Sequence, residues 1–136
     1  MTESQIELIK HRATKAQSRI QVAELCLNSN HLLEAGTNIY YSTLDSTRAL
    51  LAAITLDSKT HKGIIYLLNE NFIRPRIMDK EFGAILADSL RIRLKSDYDD
   101  FYVIEKESIV EMIQQAKLYF EEVKRILKVN YSIKVD

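Results

Sequence analysis

The sequence predicts an all-α fold, an antiparallel up-and-down bundle of about five helices. Three observations carry this. Apolar residues recur at steps of three and four along most of the chain, which is the helical period. Only 3 glycines and 1 proline interrupt 136 residues, so helices run long and connections are short. A composition of 46% hydrophobic and 28% charged residues supports a buried core, not a disordered chain. This length suits one domain, predicted to be a bundle over residues 1–128 followed by a tail over 129–136.

The first helix is predicted from about Glu3 to Leu27. Ile6, Ile9, Ala13, Ala16, Ile20, Ala23 and Leu27 make one narrow apolar stripe. Thr2-x-x-Gln5 and Ser4-x-x-Glu7 read as capping boxes, and Asn28-Ser29-Asn30 ends the helix. The second helix spans about Leu32 to Thr55 and is expected to be the most buried. Leu33, Tyr40, Leu44, Leu51 and Ile54 mark its seam, with Thr37 and Thr47 on the same line. Ile39, Tyr41, Leu50 and Ala53 widen its apolar face. Gly36 costs about 1 kcal/mol relative to alanine in a helix interior, which suggests a close helix approach there. The short link after Asn28 makes these two helices an antiparallel pair.

Asp57-Ser58 reads as a turn and N-cap for a third helix over about Lys59 to Ile73, with Ile64, Ile65, Leu68 and Phe72 inward. Arg74-Pro75-Arg76 breaks it, because proline lacks the N–H and restrains its predecessor. Asp79 caps a fourth helix running to about Lys95. Ser96 to Glu105 reads as a polar and aromatic loop. Ser108-x-x-Glu111 opens a fifth helix carrying Ile109, Ile113, Ala116, Phe120, Val123 and Leu127. Asn130 to Asp136 alternates Tyr131, Ile133 and Val135, the pattern of a short strand or a loose tail.

Several function classes are excluded or narrowed by bulk chemistry. Lys plus Arg and Asp plus Glu each number 19, so any nucleic-acid binding must use a local patch. Cys26 stands alone, so no intrachain disulfide forms. A free thiol in a helix fits a reducing cytoplasm, as a small buried hydrophobe or a reactive nucleophile. The N-terminus is polar and no apolar run approaches the ~18 residues of a membrane span, so a cytoplasmic protein without membrane association is expected. His11, His31 and His61 are not spaced as a ligand set, and no glycine-rich phosphate loop or Gly-x-Ser-x-Gly is present. Neither metal nor cofactor is expected.

Four stretches carry chemistry. On a wheel from Phe82, the residues Phe82, Ile85, Leu86, Leu90 and Ile92 share one apolar arc, and Arg93 lands near its centre. A guanidinium there is costly unless paired. Arg93 therefore either snorkels at the helix C-terminus, where a cation also suits the dipole, or faces a site or an interface. Asp97, Asp99 and Asp100 can pair with Arg93, Arg91 or Lys95, or form a carboxylate cluster. Ser58-Lys59-Thr60-His61-Lys62 sets two lysines and a histidine at a helix N-terminus, either a phosphate site or an exposed polar turn. Tyr40 and Tyr41 face inward, and Arg48 lies two turns on, near the side of Tyr41.

These residues resemble a family. Tyr40-Tyr41, Arg48-Ala49-Leu50-Leu51, Ser58 to Gly63, Arg93-x-x-x-Asp97-Tyr98 and Ala116 to Phe120, in that order and spacing, are similar to the HEPN superfamily of helical bundles. The resemblance spans roughly residues 6–125. It is nearest to the stand-alone prokaryotic subgroup that carries an Arg-x-x-x-Asp-Tyr ending in place of a histidine motif. It implies a homodimer acting on RNA or a nucleotide, neutralised by a minimal nucleotidyltransferase partner. In such ribonucleases an arginine stabilises phosphate and a histidine a few residues on serves acid–base chemistry, without metal, as the 2′-OH attacks. The implied catalytic set is Arg93, Asp97 and Tyr98, with Arg91, Lys95, Lys59 and His61 binding RNA or nucleotide. This chain departs from the pattern, since no histidine follows Arg91 or Arg93 within six residues. One register puts Tyr98 in the histidine slot, and the other puts Ser96 there with Tyr98 beyond it. In the second register Tyr98 is also the counterpart of a tyrosine that the antitoxin adenylylates in some members. The resemblance equally allows a non-catalytic binding or interaction module using the same cleft.

Overall fold

A computed structural model describes residues 1–136. It contains α1 (Glu3–Asn28), α2 (Leu32–Ala52), α3 (His61–Leu68), α4 (Lys80–Tyr98) and α5 (Lys106–Tyr131), with no strand. The five-helix, all-α expectation holds. No helix is long and apolar enough to cross a membrane.

α1 and α2 pack antiparallel. Gln5 Nε2 donates to the Ala52 carbonyl at 2.7 Å, Arg12 Nη1 to the Arg48 carbonyl at 3.0 Å and Arg19 Nη1 to Asn38 Oδ1 at 3.3 Å. Sequence numbers rise on one helix as they fall on the other. Thr2 caps α1 by accepting the Gln5 amide at 3.1 Å, while the Gln5 side chain leaves the capping box for α2. Left-handed Asn30 turns the chain, and the His31 amide closes onto the Cys26 carbonyl at 2.7 Å.

α2 is the central and most buried helix, packed against α1, α3, α4 and α5. Its interior is more polar than the apolar seam alone suggested. Ser42, Thr43, Asp45, Ser46 and Thr47 are all buried. Ser42 donates to the Ala16 carbonyl at 2.8 Å, Thr43 meets Ser89 at 3.0 Å, and Thr47 meets the Tyr119 hydroxyl at 2.5 Å. Hydroxyls bonded this way avoid most of the desolvation penalty and tie α2 to α1, α4 and α5. Leu33, expected on the seam, is exposed at the first turn. At Gly36 an added Cβ would meet Ile109 at 3.7 Å, an ordinary contact, so no close helix approach explains the glycine.

Other boundaries differ in instructive ways. α2 ends at Ala52, three residues before the expected Thr55, which has positive φ. The third helix starts at His61, with Thr60 and not Ser58 as its cap, and passes through a π-helical turn, Asn69–Ile73, before Pro75. α4 runs to Tyr98 rather than Lys95, because Arg93 and Asp97 pair one turn apart and carry the helix onward. α5 opens at Lys106, ahead of the expected Ser108 cap, and its N-cap residue is Glu105. It ends at Tyr131, past the expected boundary at residue 128. There Ser132 turns left-handed and the Ile133 amide bonds the Leu127 carbonyl at 2.9 Å. This closure buries Ile133, so the C-terminal segment is neither strand nor loose tail.

Candidate functional site

The extra turn of α4 fixes the guanidinium that the sequence singled out. Arg93 Nε donates to Asp97 Oδ2 at 3.2 Å. The Arg93 side chain is only 22% exposed, and its guanidinium carbon lies 4.5 Å from the Tyr41 ring centre and 5.7 Å from that of Tyr40. Arg93 is thus sandwiched between an aspartate on its own helix and two rings of α2. Its Nη1 is buried without a hydrogen-bond partner. Burial is the largest influence on Arg93 and acts against its charge, but Tyr41 and Asp97 outweigh it and raise the pKa. A permanently charged donor is therefore held with an N–H left over.

Tyr40 links this arginine to α3. The residue is 1% exposed, and its hydroxyl hydrogen-bonds His61 Nδ1. The Tyr40 and His61 ring centres are 5.4 Å apart at 50°. Burial, with repulsion from Tyr41 added, pushes the Tyr40 pKa up to about 12 against the opposing pull of Arg93. Tyr40 therefore stays protonated, able to donate or accept.

Local sequence presents His61. Thr60 Oγ1 accepts the Gly63 amide at 2.9 Å, which starts α3 with His61 as its first residue. A Cβ on Gly63 would lie 1.9 Å from Ser58 Oγ and 2.7 Å from Thr60 Oγ1. Only glycine lets the Ser58–Thr60 turn fold onto the first turn of α3. Lys59 sits in that turn, exposed and ahead of the helix.

The remaining candidates lie elsewhere on α4. Arg91, Lys95 and Tyr98 line a shallow apolar groove of about 520 Å³ with Ala87, Leu90 and Leu94. Arg91 pairs loosely with Asp88 at 3.8 Å, and the Lys95 ammonium is 5.9 Å from the Tyr102 ring centre. Tyr98 is 83% exposed at the end of the helix. The sequence-named residues therefore fall into two groups. Arg93, Asp97 and His61 gather around Tyr40 and Tyr41, while Arg91, Lys95 and Tyr98 share the groove. Lys59 belongs to neither by contact.

Arg48 does not neighbour Tyr41 as expected. It forks onto Asp57, Nε to Oδ1 at 3.2 Å and Nη2 to Oδ2 at 2.8 Å, and Arg19 lies by the Tyr41 ring instead, at 5.2 Å. What sequence reasoning missed is the Tyr40–His61 bond. Tyr40 read as an ordinary core residue, and 21 residues separate the pair.

The chain is similar over most of its length to several known proteins. A UPF0332 protein of Thermotoga maritima is 24% identical over 122 residues, covering 90% of this chain and 92% of that protein. "Putative toxin MJ0605" of Methanocaldococcus jannaschii is 26% identical over 113 residues, covering 83% of this chain and 84% of its own. A UPF0332 protein of Archaeoglobus fulgidus is 24% identical over 119 residues, 88% of this chain and 94% of that one. The family model described as HEPN domain matches residues 9–126, from α1 into α5 and across every element of the site. The chain belongs to the HEPN domain family.

Proposed function

We propose that this chain is a toxin-like HEPN module that acts on RNA at the Arg93 cluster. The carrying observation is the buried, unpartnered Nη1 of Arg93. A buried N–H with no acceptor costs about 1–3 kcal/mol, and a phosphate oxygen is the acceptor a guanidinium matches best. Tyr41, only partly buried, adds aromatic surface of the kind that RNA-binding sites use for stacking. The names of two relatives, "Putative toxin MJ0605" and "Putative toxin MJ0142", support the toxin reading.

The working form is a homodimer in the cytoplasm. A second copy covers the α4 groove, where Leu94 and Tyr98 are exposed beside Phe101 at 92% and Val103 at 81%. Exposed apolar surface of this kind marks an interaction site. Covering it brings Arg91, Lys95 and Tyr98 of each copy toward the shared cleft. A minimal nucleotidyltransferase is the antitoxin partner, with the exposed Tyr98 as its target.

The test is incubation of purified protein with mixed RNA in EDTA. Fragments ending in 2′,3′-cyclic phosphate are expected, and they disappear in Arg93→Ala. Wild-type protein that leaves RNA intact removes the nuclease reading. Size-exclusion chromatography with light scattering reads the dimer, and co-purification with the neighbouring gene product reads the partner.

One observation favours a second reading. No histidine follows Arg93 on α4, and Tyr98 stands on the groove side, bonded to none of the Arg93 cluster. A non-catalytic module that binds RNA or a nucleotide, or docks a protein, needs only Arg93 and its rings. RNA binding without cleavage identifies that case.

A further inference from the structure

We propose that His61 supplies the proton transfer that α4 lacks, so that the cleavage site is built across α2, α3 and α4 rather than from one helix motif. The inference deepens the RNA-cleavage reading and rests on it.

Three features of the cluster point there. His61 and Arg93 both contact one ring: the imidazole centre is 5.4 Å and the guanidinium carbon 5.7 Å from the centre of Tyr40. Both groups therefore sit beside the same ring of α2. Next, the imidazole is held by one nitrogen alone. Nδ1 meets the Tyr40 hydroxyl, and no hydrogen bond engages Nε2. His61 is exposed, so its ring is open to a ligand, while Tyr40 beneath it is buried. Finally, the backbone that presents His61 is fixed by the Thr60 cap and by a glycine that nothing larger can replace. A histidine on a merely decorative surface turn needs none of these supports.

The chemistry follows from the tautomer. When Tyr40 Oη accepts Nδ1–H, the lone pair of neutral His61 is on Nε2. Arg93 holds the phosphate that contacts its free N–H. The 2′-oxygen then bonds to phosphorus as the P–O5′ bond breaks. The 2′-OH proton moves to Nε2 and returns to the departing O5′. The products are a 2′,3′-cyclic phosphate and a 5′-hydroxyl, with no oxidant, reductant or other reactant consumed. His61 is the catalytic residue, and Tyr40 is a positioning residue that acts through it. Tyr40 from α2 touches His61 directly; Tyr41 from α2 and Arg93 from α4 lie against Tyr40, Asp97 holds Arg93, and Lys59 and Lys62 flank His61 in its own turn.

The experiment is single-turnover cleavage of a fluorescent RNA oligonucleotide in EDTA across a pH series, with anisotropy on the same RNA to read binding. His61→Ala is expected to slow cleavage at least ~100-fold, the scale of a lost acid–base group. Its RNA affinity stays near wild type, its melt falls modestly because the buried Tyr40 hydroxyl loses its partner, and added imidazole restores part of the rate. Tyr40→Phe is expected to slow cleavage by less than His61→Ala and to change the shape of the pH–rate profile, which a residue that only packs would not do. If His61→Ala cleaves within about threefold of wild type, His61 is not the acid–base group. The nuclease reading then survives, because Arg93→Ala alone abolishes cleavage. If wild-type protein binds RNA but never cleaves it, the nuclease reading fails and this inference fails with it. A cleavage loss in His61→Ala that imidazole does not touch, accompanied by an equal loss of affinity, makes His61 a binding residue and overturns the proposal.

Discussion

Two of the arginine–carboxylate clusters packed on α2 are built to opposite rules. At one end, Arg48 lays a two-pronged fork on Asp57, and Arg12 reaches the same carboxylate at 3.2 Å while its other nitrogen caps the Arg48 carbonyl. Asp57 also takes the Ser58 amide at 2.8 Å. That cluster is closed, with donors and acceptors matched. Against the middle of α2, Arg93 has one bond to Asp97, the rings of Tyr40 and Tyr41 beside it, and a buried Nη1 with no acceptor. That cluster is open. Composition does not separate them, since each is arginine, aspartate and nearby aromatic or backbone groups. The difference lies in how many N–H groups the fold leaves over. A closed network serves the fold, whereas an open one is stable only because rings shelter the charge, and it has capacity for a ligand.

The sharpest way to break this contrast is to remove each arginine and assay RNA. Arg93→Ala is expected to lower RNA cleavage by ~100-fold or more, the loss typical of one preorganised charge donor. Arg48→Ala should leave cleavage within about threefold, since electrostatic preorganisation at the site is untouched. Equal losses in both variants dissolve the distinction between open and closed.

Stability should move the other way. Urea unfolding of Arg48→Ala is expected to show a loss of about 1–2 kcal/mol, more than one exposed ion pair gives, because Arg48 lies in a network where two arginines and a backbone amide share one carboxylate. Arg93→Met is expected within about 0.5 kcal/mol of wild type, or slightly above it. The methionine keeps the packing on Tyr41 and removes an N–H that had no acceptor. A large destabilisation in Arg93→Met means the cluster is structural.

Much of this could be read from the chain, and the failures have physical causes. Helical spacing located all five helices, and an arginine on the arc of Phe82, Ile85 and Leu90 marked the site. The end of α4 was misplaced because Ser96 and Asp97 look like loop residues until the Arg93–Asp97 pair is seen. The polar interior of α2 was half hidden, since Ser42, Thr43 and Ser89 satisfy themselves on carbonyls and each other, a pairing that hydropathy cannot report. Ser132 takes a left-handed turn that glycine or asparagine would have advertised. The Tyr40–His61 bond had no local trace, because it joins two elements across a turn. What sequence conveyed was which groups need partners, and what it withheld was which partners they find.

Titration offers a finer test of the same contrast. The Arg48 hydrogen bond, first among its causes, holds the Asp57 pKa below the ordinary 3.8. Folded protein thus binds fewer protons than unfolded in acid. The Asp57 contribution is complete above pH 3.8 and disappears as pH falls through the lower folded value. Tyr40 behaves in the opposite sense. Burial raises its pKa from 10.0 to about 12, so its contribution is complete below pH 10 and disappears as pH rises through about 12. Melting curves should therefore show Asp57→Asn flattening the acid limb and Tyr40→Phe flattening the alkaline limb. Either variant flattening the opposite limb reverses the sign of its linkage and refutes the pairing behind it.

The smallest expected effect sharpens the comparison most. Asp97 and Asp57 each hold an arginine, and each side chain is exposed to a similar degree, 43% and 42%. If exposure alone set their worth, converting either to asparagine would cost the same. Asp97 has one contact of the i,i+4 type, worth about 0.3–0.5 kcal/mol, whereas Asp57 answers two arginines and a backbone amide. Asp97→Asn should therefore lower stability by less than about 0.5 kcal/mol, and Asp57→Asn by about 1 kcal/mol or more. The asparagine at 97 still accepts a hydrogen bond but no longer neutralises Arg93, so the guanidinium is left more dependent on an incoming phosphate. RNA affinity is then expected to steepen in its salt dependence while the fold hardly changes, because the phosphate replaces the carboxylate as the counter-charge. Measured together by urea titration and by anisotropy at several salt concentrations, equal stability losses at 57 and 97 with an unchanged salt slope mean that Asp97 is one more structural pair and Arg93 is not waiting for a ligand.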